Sequence, residues 1–158
     1  MDYVKPQGVV ESMLAGGAYK LNLPPRHLVL RGMLAGAYLG IGTSMAVTAA
    51  VETGYWIVGS LLFPFGLALS ILLGTESITG SFALVPCAAV AGREQAGIRR
   101  VLANWGFVFL GNLLGSTVYA ALFAIALTTA GDAQINAVGT KLIAIAEAKT
   151  NYYASHGS

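Results

Sequence analysis

The chain has 158 residues, 56% of them hydrophobic and 10% charged; soluble domains carry about 25% charged residues, so the composition points away from a soluble globular domain. Its net charge of +2 comes from scattered basic residues, which excludes the basic patch of a nucleic-acid binder. A single cysteine, Cys87, excludes an internal disulfide framework and a thiolate zinc site.

The opening MDYVKPQGVVESMLAGG has no compact apolar core behind a basic patch, so it does not read as a cleaved signal peptide, and insertion falls to the first membrane helix. Val9, Val10, Met13, Leu14 and Ala18 recur at helical spacing, with Glu11 and Lys20 elsewhere on the wheel. This predicts a short amphipathic helix lying along the membrane surface, stopped by Pro24-Pro25. Arg26, His27 and Arg31 border the first long apolar run; with no second histidine nearby, His27 reads as an interfacial side chain rather than a ligand.

The first span is about Leu28 to Val51. Gly32, Gly36 and Gly40 are spaced by four and form a smooth stripe on which another helix can approach closely. Glu52-Thr53-Gly54 makes a short turn. The stretch from Gly54 to Gly92 is then too long for one crossing, since about 20 apolar residues fill a bilayer. Gly74-Thr75-Glu76-Ser77-Ile78-Thr79-Gly80-Ser81 interrupts it, which predicts a helix broken at about 74–80. Backbone groups exposed by a break at membrane depth survive only under protein or in a watery cavity, so the break points to a transport pathway. Glu76 is the only acid between Thr53 and Gly92, and an ionisable group in such a run is a functional candidate. The bland alternative is an ordinary loop between two short helices outside the bilayer. Cys87, beside Pro86, reads as a small packing residue.

Arg93, Arg99 and Arg100 follow, before a last span of about Val101 to Ala130 in which Gly111 and Gly115 are again four apart. Asn104 and Asn112 read as interhelical hydrogen-bonding groups. Counting basic residues, Lys20, Arg26 and Arg31 precede the first span, none lies at the Glu52 turn, and three arginines lie before the last span. This puts the N-terminus and the arginine stretch in the cytoplasm and the Glu52 turn outside. The remainder, GDAQINAVGTKLIAIAEAKTNYYASHGS, has a possible helix start at Asp132 and apolar residues Ile135, Val138, Leu142, Ile145 and Ala146 at helical spacing. A surface-lying helix is expected there, outside the membrane, interrupted in its apolar character by Lys141 and Lys149.

Taken together, these segments resemble the N-terminal half of the formate/nitrite transporter family. The residues that carry the resemblance are Leu34 to Gly42 in the first span, Phe63-Pro64-Phe65-Gly66-Leu67, the Gly74 to Ser81 break, Asn104-Trp105 with Gly111-Asn112, and Ala146-Glu147-Ala148-Lys149. The break looks like the family pattern G-x-E-L-F-T-G-N, with Ser77-Ile78 in place of Leu-Phe and Ser81 in place of Asn.

The resemblance implies an all-α integral membrane protein: a transmembrane helix bundle with a broken second helix, of aquaporin-like inverted-repeat architecture, this chain being the first repeat. Residues 1–27 would form the cytoplasmic amphipathic segment, 28–130 three membrane helices, and 131–158 an extracytoplasmic segment leading towards a fourth helix. Carried over by position, Phe63 and Leu67 fall at the family's cytoplasmic constriction. Thr79 falls in the loop that gates or lines the pore, with Glu76 beside it, and Lys149 at a lysine that draws anions to the vestibule. The family's second broken helix and pore histidine have no counterpart, and His156 lies too early to stand in for the latter. The implied function is a channel or transporter for small monovalent anions (formate, nitrite or hydrosulfide) and protons in the cell inner membrane, as a homopentamer without cofactors. The alternative is a non-conducting half-length subunit or fragment with an assembly role. No metal-ligand cluster, phosphate loop or nucleophile-base pair argues for an enzyme.

Overall fold

The computed structural model describes residues 5–93, 97–131 and 134–156, and the regular elements among them are all helical. In chain order they are α1 (Pro6–Asn22), α2 (Pro25–Thr53), α3 (Trp56–Leu62), α4 (Pro64–Leu72), α5 (Ile78–Val90), α6 (Ile98–Thr128) and α7 (Ala137–His156), with a 3-10 turn at Thr129–Gly131. Proline opens α1, α2 and α4, where its missing N–H costs nothing and its fixed φ suits a first turn. Pro64 also separates α3 from α4. Phe63 keeps right-handed helical angles (φ −52°, ψ −44°), so the interruption amounts to the one hydrogen bond that proline cannot donate.

With 29 and 31 residues, α2 and α6 are long and apolar enough to cross a membrane. Each is about 45 Å long, against a hydrocarbon core of about 30 Å. The apolar stretches Trp56–Leu72 and Ile78–Val90 are shorter, and the non-helical residues 73–77 lie between them. The break is thus narrower than the expected 74–80, and Thr79 and Gly80 lie in the first turn of α5.

The chain divides into two compact units, Met1–Ala37 with Ser70–Ser116, and Tyr38–Leu69 with Thr117–Ser158. In the first, α2 and α6 run side by side in the same direction, since Gly32 meets Val108 and Gly111 while Gly36 meets Asn112 and Ser116. The approach is backbone to backbone: a methyl group would lie 2.2 Å from the Asn112 carbonyl oxygen if added at Gly36, and 1.9 Å from that of Met33 if added at Gly115. The glycine stripe expected from the four-residue spacing is therefore a packing seam. A second close approach joins α1 to α5, where a methyl group at Gly17 would lie 2.2 Å from the Leu84 carbonyl oxygen. Beside it Leu21, Val85, Ala88 and Val101 form a buried cluster edged by Trp105.

This contact packs one face of α1 onto α5. Val9, Val10 and Met13, on its expected apolar face, are exposed, whereas Gly17 and Leu21 are buried. Two small steps of backbone, not a broad apolar stripe, decide which face packs. Cys87 is likewise exposed rather than packed.

In the second unit, Gly42 faces Phe63 and Gly66, and Gly59 faces Ala46. Ser44 Oγ lies 2.5 Å from Tyr119 OH, whose ring covers Gly40. Lys141 Nζ sits 4.9 Å from the centre of the Trp56 ring, a cation–π contact that fastens α7 to α3. Asn136 caps α7 by accepting the Gly139 N–H (3.0 Å). Asp132, where the sequence suggests a helix start, lies outside the described residues.

Candidate functional site

Between Leu72 and Ile78 the chain leaves the helix, and each backbone group freed there needs a partner. Gly74, in a left-handed conformation (φ 63°) that glycine adopts without strain, donates its N–H to Ile71. The Thr75 N–H reaches the Ser70 carbonyl at 3.0 Å. The Thr75 hydroxyl donates to that same carbonyl at 2.9 Å, so the buried Ser70 hydroxyl is the donor in the 2.6 Å contact between them. The Glu76 N–H crosses to the Arg31 carbonyl of α2 (3.2 Å).

Asn112 of α6 completes the closure. Its Oδ1 accepts the Ile78 N–H at 3.0 Å, one of the donors that every helix start leaves unpaired. Its Nδ2 donates to the carbonyls of Glu76 (2.7 Å) and Gly32 (3.0 Å). One amide side chain thereby serves α2, the break and α5.

Glu76 is 2% exposed and forms an ion pair with Lys20 of α1. A charge so buried is tolerable only when paired, and the lysine is delivered by a set of contacts at the end of α1. Asn104 donates to the Lys20 carbonyl (2.9 Å). Arg100 donates to the Leu21 carbonyl (3.1 Å) and to Asn22 Oδ1 (3.0 Å), so side chains satisfy acceptors that the helix end leaves free. Arg31 donates to Tyr19 OH (2.9 Å), and Arg93 pairs with Glu11 at the surface. The arginines that the sequence offers as topology signals thus also hold α1.

Of the residues singled out in the sequence, Glu76 and Thr79 belong to the first unit. Thr79 is exposed, with its hydroxyl 2.8 Å from that of Ser77. Phe63, Leu67 and Lys149 belong to the second. Phe63 and Leu67 are exposed by 51% and 42%; Phe63 lines a shallow groove with Thr43, Ala46, Val47, Trp56, Gly59 and Ser60, and Leu67 does not. Lys149 is exposed on α7. Lys20 carries no functional weight in the sequence; its one signal is that a lone acid in an apolar run requires a base. No group of three or more potential metal ligands occurs among the described residues.

The sequence profile of formate/nitrite transporters matches residues 7–156. The chain belongs to the formate/nitrite transporter family. Its relatives include an uncharacterized transporter, YrhG, of Bacillus subtilis, 29% identical over 94% of this chain and 56% of that protein. The formate channel BtFdhC of Bacillus thuringiensis is 28% identical over 94% of this chain and 58% of its own length. The formate channel FocA of Haemophilus influenzae is 32% identical over 66% and 38% respectively. The chain spans a little over half the length of YrhG and BtFdhC. No solved structure matches it. Family membership, together with two helices able to cross a bilayer, makes this a membrane protein of a transporter family.

Proposed function

We propose that the chain supplies the first half of a pathway for small monovalent anions such as formate, nitrite or hydrosulfide across the cell inner membrane, with no chemistry on the substrate. In this reading it is a multi-pass protein with a cytoplasmic N-terminus, built as the first of two inverted repeats of an aquaporin-like fold and assembled as a homopentamer. The observation that carries the reading is the break at 73–77, whose backbone is satisfied by Arg31, Asn112 and Ser70 rather than by a continuing helix. A non-helical segment kept within an apolar run under the cover of neighbouring helices is the arrangement that broken-helix transport pathways use.

An anion entering a dry neck faces a desolvation cost far above that of its neutral acid. The Ser77 and Thr79 hydroxyls, with the positive end of α5 behind them, supply donors without a fixed charge that would trap the ion. Glu76 is occupied by Lys20, so it shapes the break and keeps acid charge out of the pathway. Lys149 adds screened attraction from a distance, and Phe63 with Leu67 forms an apolar neck that resists wetting. The basic-residue count puts the Glu52 turn outside, and α3 starts directly after it.

A second reading, a non-conducting subunit with an assembly role, draws on the internal partners that Glu76 and Thr79 each have. Formate flux into liposomes containing the assembly that the chain forms or joins separates the two. Flux above that of empty liposomes, reduced by Thr79→Val, is expected. A folded oligomer that leaves the liposomes as tight as empty ones would favour the assembly role.

A further inference from the structure

Among the described residues of the first unit, two side-chain atoms are buried without a hydrogen-bond partner: Ser81 Oγ and Asn104 Oδ1. Their residues are 0% and 3% exposed. Each orphaned polar atom in such surroundings forfeits the hydrogen bond it would make in water. Both sit at one level of the helix pair. Val85 of α5 and Val101 of α6 meet in the same buried cluster. Ser81 lies one turn before Val85 and Asn104 nearly one turn after Val101. Because α5 leads into α6 through the connection at 91–97, both steps run away from that connection, to the same side of the cluster. The Trp105 Nε1–H donates to the Ser81 carbonyl at 3.2 Å, which fixes this register.

The two atoms are complementary but do not meet. Asn104 has committed its amide Nδ2 to the Lys20 carbonyl, so its Oδ1 is an acceptor that needs a donor. The Ser81 hydroxyl can donate or accept. A water molecule satisfies both: it donates one proton to Asn104 Oδ1 and bonds to Ser81 Oγ with either its second proton or a lone pair. Immobilising such a water costs less than leaving two polar groups orphaned together. Buried waters bind where otherwise unsatisfied polar atoms converge. We infer that Ser81 and Asn104 form the binding site of one ordered internal water, which links α5 to α6 below the break.

The sign of one substitution tests this. If a water bridges the two residues, Ser81→Ala removes one of its anchors and strands Asn104 Oδ1, and the thermal midpoint of the purified chain in detergent falls by about 2–4 °C. If the site is dry, the same change removes an unsatisfied hydroxyl and the midpoint stays or rises, which overturns the inference. The second measurement does not depend on stability. A crystal structure at better than about 2 Å resolution is expected to show a solvent peak within about 3 Å of both atoms. A direct Ser81–Asn104 contact, or two atoms with no peak between them, overturns it as well.

Discussion

Lys20 of α1 pairs with Glu76 of the break across 56 residues of sequence, and the two side chains are only 14% and 3% exposed. Removing one member of such a pair strands the other's charge, typically at a cost of about 3–5 kcal/mol, whereas replacing both with apolar groups of similar size is often neutral. Lys20→Met is therefore expected to lower unfolding stability by about 3–5 kcal/mol, and adding Glu76→Met to recover most of the loss. Denaturant titration in detergent measures both. A single variant as stable as the parent chain would show that the pair does not hold α1 to the break.

Asn112 makes three hydrogen bonds, each worth about 1 kcal/mol. Asn112→Ala should cost about 2–3 kcal/mol and speed hydrogen exchange at the Ile78 amide. Asn112→Asp keeps an acceptor for Ile78 and loses both donors, so Ile78 should stay protected while stability still falls. Equal exchange at Ile78 in all three proteins would contradict the capping role.

The glycine seam makes a graded prediction. Gly36→Ala and Gly115→Ala push a methyl group into backbone, and each should destabilise by about 1–3 kcal/mol or more. A methyl group added at Gly80, in the first turn of α5, would meet nothing within 4 Å. There, alanine should stabilise by about 0.4–1 kcal/mol. Thermal midpoints of the three variants should fall on opposite sides of the parent chain.

In whichever assembly conducts, Thr79→Val should reduce formate flux at every salt concentration, since it removes a local donor. Lys149→Ala should reduce it mainly at low salt, because its attraction is screened over about 8 Å at physiological ionic strength. Equal loss at low and high salt would replace steering by a direct binding contact.

Phe63→Ala and Leu67→Ala should raise flux and weaken selectivity if these side chains narrow the pathway. Unchanged conductance would leave them a packing role against lipid or a neighbouring subunit.

What the sequence reveals of all this depends on whether the signal is local. The break is legible because glycine and polar residues interrupt an apolar run, and the α2–α6 seam because glycine repeats every four residues. Lys20 is not legible as the partner of Glu76, because its meaning depends on α1 folding back onto α5. That fold rests on Gly17, one glycine with no periodic partner. The same holds for Gly59 and Gly66, whose neighbours Ala46 and Tyr38 lie in another helix. The cap of α7 at Asn136 is not legible in the sequence because aspartate and asparagine are comparable caps, and the local geometry selects Asn136. Thr79 falls inside the helix rather than the loop because Asn112, 34 residues from Ile78, supplies the acceptor that lets α5 begin there.

The bonds of Asn112 also have a mechanical side. Because a single amide grips a carbonyl of α2, a carbonyl within the break and the first N–H of α5, it acts as a three-way rivet. The break cannot swing open on a glycine hinge while that rivet holds. Any widening must either shear all three bonds at once or carry the adjoining parts of α2 and α6 along as one body, so motion at the break should come in discrete jumps rather than as gradual flexing.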